Sequence, residues 1–240
     1  LRIRAPNILL TGGEACLDHP QQLLSDANTK IVWLHTFDYD IYLKKKDAPH
    51  ESKLGFDTAV FIDAPSPRFS HDALIPGISS PLTEEKYYPS LCKFFDRLEK
   101  ELNVKVEIAA HPASDHEMYP KYFGGRKTVP SQTFEMIKHS KFIINRNSTS
   151  VNFAIILNKP IIFHTSFELE THSMSDQIRY MAHSLGKEPV NIDQSLDIDW
   201  EKELSVDKSA YAKYKNKFIK KEGTKEDFLW QTVVDRLKEI

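Results

Sequence analysis

Lys141-Phe142-Ile143-Ile144-Asn145-Arg146-Asn147-Ser148-Thr149-Ser150-Val151-Asn152-Phe153-Ala154 is the stretch on which the fold turns. It opens with a short apolar run that stops at Asn145. It closes in a nearly all-apolar helix, Val151, Ala154, Ile155 and Ile156, which Asn158-Lys159-Pro160 brings to an end. A run apolar on both faces, four or five residues long and followed directly by a helix start, is the signature of a strand inside a parallel sheet.

Working outward, the same unit recurs. Asn7-Ile8-Leu9-Leu10-Thr11 stops at Gly12-Gly13, Lys30-Ile31-Val32-Trp33-Leu34 at His35, and Thr58-Ala59-Val60-Phe61-Ile62 at Asp63. Val104 to Ala110 stops at His111, and Pro160-Ile161-Ile162-Phe163 at His164. Helical spacing fills the gaps: Tyr88, Leu91, Phe94, Phe95, Leu98 and Leu102, with Pro89 placed near a first turn; Phe134, Ile137 and Lys138; Ile178, Met181, Ala182 and Leu185 before Gly186. Tyr211, Tyr214 and Phe218 stripe a lysine-rich helix, and Phe228, Trp230, Val233, Val234 and Leu237 a final one. Alternating strands and helices predict an α/β protein with a Rossmann-like, doubly wound parallel sheet. The polar stretch from Lys44 to Gly55 marks a boundary, with a complete Rossmann-like unit expected after it.

Composition narrows the function classes. Of 240 residues, 40% are hydrophobic and 11% aromatic, enough for a sizeable core without metal or disulfide support. The net charge of −2 lacks the basic excess of a general nucleic-acid binder. Cys16 and Cys92 lie far apart and match no zinc or redox pair, which fits a reducing, cytoplasmic setting. No apolar run reaches the ~18 residues of a membrane span. The chain opens Leu1-Arg2-Ile3-Arg4, with no Met and no signal-peptide pattern, as a fragment would. Gly-x-Gly-x-x-Gly, a phosphate-loop lysine motif and a Gly-x-Ser-x-Gly elbow are all missing, which counts against NAD enzymes, P-loop NTPases and serine hydrolases.

Ligands of open α/β sheets bind beyond the carboxyl ends of the strands, and several candidate residues stand there. His111-Pro112 follows one strand: the imidazole can donate to a phosphate, or simply to loop backbone. Ser148-Thr149-Ser150 can cap the next helix, yet three hydroxyls exceed what one cap requires, and first-turn amides plus hydroxyls suit an anion. Gly124-Gly125-Arg126-Lys127 offers a guanidinium that can fork onto phosphate, or a surface turn. Asp63 can serve as nucleophile or base, or cap the following turn; Asp38 and Asp40, after His35, compete for that role, and Tyr39 and Tyr42 either line a cleft or pack. Glu168 can hold a ribose hydroxyl or start a helix. His71 and Asp72 are too few for a metal site. Six lysines between Lys208 and Lys221 either meet an anionic membrane surface or, given Glu201, Glu203, Asp207 and Glu222, form a solvated face.

The order of these motifs resembles the nucleotide-binding half of bacterial GT-B glycosyltransferases of surface-polysaccharide synthesis: a strand ending in His-Pro, a Gly-Arg loop, a short helix, a strand, a Ser/Thr-rich helix start, then Lys-Pro and another strand. The CMP-sugar-using groups, capsule polysialyltransferases and Kdo transferases, are the nearest in pattern, over roughly residues 56–186. The resemblance implies that His111-Pro112 and Ser148-Thr149-Ser150 hold the phosphate of a cytidine nucleotide; Arg126 would assist at the phosphate, and Glu168 at the ribose. It implies catalytic roles for Asp63 and His111, and no cofactor or metal. It further implies a glycan acceptor, capsule or lipopolysaccharide synthesis, and a cytoplasmic position at the inner face of the bacterial membrane. The polysialyltransferase Asp/Glu-Asp/Glu-Gly motif is not found in the corresponding place. CDP-glycerol phosphotransferases of teichoic-acid synthesis share the His-Pro and serine-rich signals, and a non-catalytic nucleotide-binding module of a larger synthase would carry them too. On this reading residues 1–50 are part of a reduced acceptor-side domain, 56–222 the nucleotide-sugar-binding domain, and 224–240 a C-terminal helix returning to the N-terminal part.

Overall fold

The computed structural model describes residues 4–18, 25–48, 57–64, 67, 80–112, 119–194 and 197–238. His71, Asp72 and most of the Lys44–Gly55 boundary lie outside them. The chain forms two compact units, one from Glu51–Asp207 and one that joins Leu1–His50 to Lys208–Ile240.

The larger unit holds a six-stranded parallel sheet: β3 (Thr58–Ile62), β4 (Lys105–Ala110), β5 (Thr128–Pro130), β6 (Phe142–Asn145), β7 (Ile161–Thr165) and β8 (Val190–Asn191), in the spatial order β5-β4-β3-β6-β7-β8. The chain starts at the centre, winds out to one edge through β4 and β5, returns to the centre at β6 and winds out the other way. Renumbered from its own first strand, this is the 3-2-1-4-5-6 order of doubly wound nucleotide-binding sheets. The Rossmann-like expectation therefore holds at the level of the sheet.

Burial explains the strand sequences. All five residues of β3, all four of β6 and all five of β7 are buried, so alternation of polar and apolar residues is absent. On one face lies α2 (Glu84–Leu102), which sets Tyr87, Leu91, Phe94, Phe95 and Leu98 against Ala59, Phe61, Val106, Ile108 and Ile144. Each such fully buried side chain contributes roughly 1.5–3 kcal/mol. Pro89 sits in the second turn of α2 rather than its first, because the helix begins at Glu84. The other face takes α4 (Thr133–His139) and α5 (Val151–Ile156). Asn158 ends the latter in the left-handed conformation (φ 52°) just before Lys159-Pro160. Short helices α3 (Tyr119–Tyr122), α6 (Phe167–Glu170), α7 (Met174–His183) and α8 (Trp200–Glu203) complete the unit.

The smaller unit pairs β1 (Ile8–Thr11) with β2 (Lys30–Trp33) in parallel and adds α1 (Phe37–Lys45), α9 (Lys208–Tyr214), a π-helical turn at Lys215–Ile219, and α10 (Leu229–Lys238). The sequence reading carried the nucleotide-binding domain to residue 222, whereas the division falls after Asp207. The cause is local. Tyr211 and Tyr214 are buried, Thr36 N–H donates to the Ile219 carbonyl at 3.0 Å, and His35 bridges to Lys220, so the lysine-rich helix belongs with residues 1–50. In the same unit Asp40 accepts the Leu229 N–H at the start of α10 (2.8 Å), and Tyr39, buried, donates to Glu226 (2.6 Å). Asp40 is thereby committed to holding α10, and Tyr39 is a packing residue.

Candidate functional site

A sheet of this order has one switch point, between β3 and β6, where the chain leaves the centre in opposite directions. In open sheets of this order the carboxyl ends of the two strands flanking that point are where ligands bind. Register fixes which residues reach it. Phe61 pairs with Ile144 and Asn145 with Phe163; two and one residues further on, Asp63, Arg146 and His164 form a row across the sheet. Asp63 N–H donates to Ala109 O (3.0 Å), which puts the end of β4, and His111 just beyond it, on the other flank of Asp63.

In-register neighbours of a parallel sheet share a face, and this row faces α2. Tyr87, in the first turns of that helix, covers it. The Arg146 guanidinium lies 5.4 Å from the Tyr87 ring centre, and the His164 ring stacks on Tyr87 at 6.1 Å and tilts against Phe61 at 5.8 Å. Arg146 is only 2% exposed, Asp63 8% and His164 not at all. A cation, a carboxylate and an imidazole are thus collected behind Tyr87, near the end of the sheet where an α/β fold places its ligand.

The electrostatics follow from burial. The Tyr87 hydroxyl is pushed up to about 12 by desolvation, while Arg146 pulls it down and Asp63 raises it, so both charges act on the same oxygen. Tyr88 is raised as well, by burial and then by Asp63. His164 is pushed down to about 3 by burial and by the nearby Arg146 charge, and neither of its ring nitrogens has a hydrogen-bond partner among the described residues. It is a neutral aromatic filler at neutral pH. Tyr87 also lines a cavity of about 560 Å³ with Lys86, Ser166, Phe167 and Asp193.

The sequence-predicted residues fall into two groups. Asp63 lies at the switch point. Ser148, Thr149 and Ser150 form the turn between β6 and α5, and His111 and Pro112 leave β4; with β3 between those strands, spacing alone sets the two segments about 10 Å apart along one rim. Ser148 and Ser150 are half-buried and Thr149 is exposed. The amides of this turn are mostly engaged: Ser148 N–H donates to Asn145 Oδ1, Ser150 N–H to Ser148 Oγ, and those of Val151, Asn152 and Phe153 to the carbonyls of Ser148, Thr149 and Ser150. Hydroxyls, more than amides, are therefore what this turn offers an anion.

Arg126 and Glu168 are both held by partners within the protein. The Arg126 guanidinium is held by Glu99 and Asp96, at 2.6 Å each, and lies over the Phe95 ring at 5.2 Å. It fastens the Gly124-Gly125 turn to α2. Glu168 accepts both the N–H and the hydroxyl of Thr83 (3.1 and 2.8 Å) with Lys86 at 3.5 Å. Its carboxylate caps the start of α2, where the helix dipole favours negative charge. The cation that sequence reasoning missed is Arg146. The signal was available, as an arginine two residues past the apolar run Phe142–Ile144 of a central strand.

No protein-family model matches the chain, and no curated protein matches it. Among the described residues no group of three or more His, Cys, Asp or Glu is arranged to hold a metal ion, and no helix is long and apolar enough to cross a membrane.

Proposed function

We propose that the protein is a GT-B-type glycosyltransferase that moves a sugar of the Kdo or sialic-acid kind from a CMP-activated donor onto a growing bacterial surface polysaccharide. The observation that carries the reading is the switch point itself: the 3-2-1-4-5-6 order, with Asp63, Arg146 and the Ser148–Ser150 turn on the two central strands and His111 one strand away. The ordered His-Pro, Ser/Thr and Lys-Pro motifs supply the cytidine donor class.

In this mechanism the Ser148 and Ser150 hydroxyls and His111 donate to the CMP phosphate, holding the charge that grows as the sugar departs. Arg146 adds a fixed positive field from inside the sheet, where low dielectric lengthens its reach. To Asp63, at the end of β3, this reading gives the attack on the anomeric carbon or the removal of the acceptor's proton.

Calorimetric titration with CMP, UMP and GMP tests the reading. CMP binds tightest, and His111→Ala and Ser148→Ala each weaken it. A preference for UMP or GMP removes the donor assignment, and normal binding by both variants removes the site. Product mass separates sugar transfer from transfer of a phosphoglyceryl unit.

A further inference from the structure

The smaller unit has a cleft of its own, about 440 Å³, along the edge of β2. Lys30, Trp33, Lys221, Lys225, Thr232 and Arg236 line it, and Glu222 is the acid among its described walls. Four cations thus face one carboxylate. Lys30, Lys225 and Arg236 are exposed, and the Lys221 ammonium rests 4.6 Å from the Trp33 ring centre while pairing with Glu14 at 2.8 Å.

Backbone direction adds donors. Lys30 N–H donates to Asn7 O and Leu34 N–H to Thr11 O, so the even-numbered amides of β2 turn toward β1. In a parallel ladder the alternate residues turn the other way, and Ile31 and Trp33 present their main-chain N–H and C=O groups to the cleft. A half-buried indole, two outward amides and four cationic side chains surround a volume in the range of small-molecule sites. Indole and strand edge suit a ring bearing hydroxyls; the ammonium and guanidinium groups suit an oxyanion. Trp33 and Lys221 line a second cavity with Lys213 and Lys217, opposed there by Glu14 and Asp18.

We propose that this cleft is a second binding site, separate from the switch point, for a small saccharide carrying a phosphate or a carboxylate. Trp33 and the β2 edge take the sugar ring, and Lys225, Arg236 and Lys30 take the anion.

The chain has three tryptophans, so indole N–H resonances report on the site in the intact protein once Trp33→Phe has assigned its peak. Titration with glucose 1-phosphate or glucuronate should shift the Trp33 resonance to saturation; the two arms tell phosphate from carboxylate recognition. Glucose alone should act at least about tenfold more weakly, and Lys225→Glu with Arg236→Glu should weaken the charged sugars by at least about tenfold, as loss of charge-assisted hydrogen bonds requires. His111→Ala should leave these affinities unchanged. If the charge reversal prevents folding, Lys225→Gln with Arg236→Gln makes the same comparison. No Trp33 shift at about 20 mM sugar, well above a millimolar constant, overturns the proposal. So does an equal response to glucose, to inorganic phosphate or only to a glutamate-rich peptide, and so does loss of binding in His111→Ala.

Discussion

The guanidinium of Arg146 lies 5.4 Å from the centre of the Tyr87 ring, and both side chains are buried. This contact joins the end of β6 to the start of α2 and brings the cation to the tyrosine on which Asp63 also acts. Replacing Arg146 by alanine removes a buried cation whose charge acts, together with that of the buried Asp63, on the Tyr87 hydroxyl. Breaking a buried charge arrangement in this way costs about 3–5 kcal/mol, and urea denaturation of Arg146→Ala should show a loss of that size. A loss under about 1 kcal/mol would place Arg146 among weakly coupled surface charges.

His164 gives the fold a pH dependence. Its folded value of about 3 lies below the ordinary 6.5 of an unfolded histidine. Between those limits the unfolded chain binds a proton that the native one refuses, so stability falls as pH falls from about 6.5 toward 3, by at most about 1.4 kcal/mol per pH unit. His164→Phe keeps an aromatic ring between Phe61 and Tyr87 and removes the titration. Denaturation at pH 7, 5.5 and 4.5 should show a shallower slope for the variant, and parallel slopes would contradict the burial of this ring.

Glu168 and Arg126 separate stability from binding. Glu168→Gln weakens the cap on α2 and should lower stability by about 0.5–2 kcal/mol, the range for loss of an N-terminal cap. Arg126→Met loses its bonds to Asp96 and Glu99 and should destabilise likewise. Neither should alter CMP affinity in calorimetry, whereas a weakened affinity in Glu168→Gln would restore it as a ribose ligand.

Gly13 is a packing glycine. Its φ of −83° is open to any residue, yet a Cβ there would run into the main chain of Lys217 and Phe218. Gly13→Ala should therefore cost about 1–3 kcal/mol, as overpacking does. Gly12→Ala, whose Cβ meets neighbours at ordinary van der Waals distance (3.5 Å), serves as its control in thermal unfolding.

The longer strands were legible because burial on both faces leaves an apolar run that nothing else in the chain imitates. Thr58–Ile62 matches its sequence reading residue for residue. Thr128–Pro130 and Val190–Asn191 were not seen, since edge strands of three and two residues carry no such run. The α1 helix was missed for a related reason: Phe37-Asp38-Tyr39-Asp40 has the polar and aromatic mixture of a cleft, and only Tyr39 is buried in that helix. At the site, Asp63 could be read from its place after a strand. His164 could not, because a histidine in the sequence reads as a polar stop, whereas here it lies inside β7. The partners of Arg126 and Glu168 were not legible, because a charged side chain in a loop shows its chemistry but not what holds it, and those partners, on α2 or at its cap, lie far away in sequence.

The meeting of β3 and β6 also bears on how the sheet assembles. Each arm of the chain, β3 to β5 and β6 to β8, grows outward from the middle, so this seam unites two stretches that are remote in sequence, through Ala59, Val60 and Phe61 against Phe142, Ile143 and Ile144. Pairing over such a separation carries the larger loop-closure cost. A molecule gripped from both sides of the seam therefore acts as a rivet between the arms, and amide exchange along β3 and β6 should slow most when it is bound.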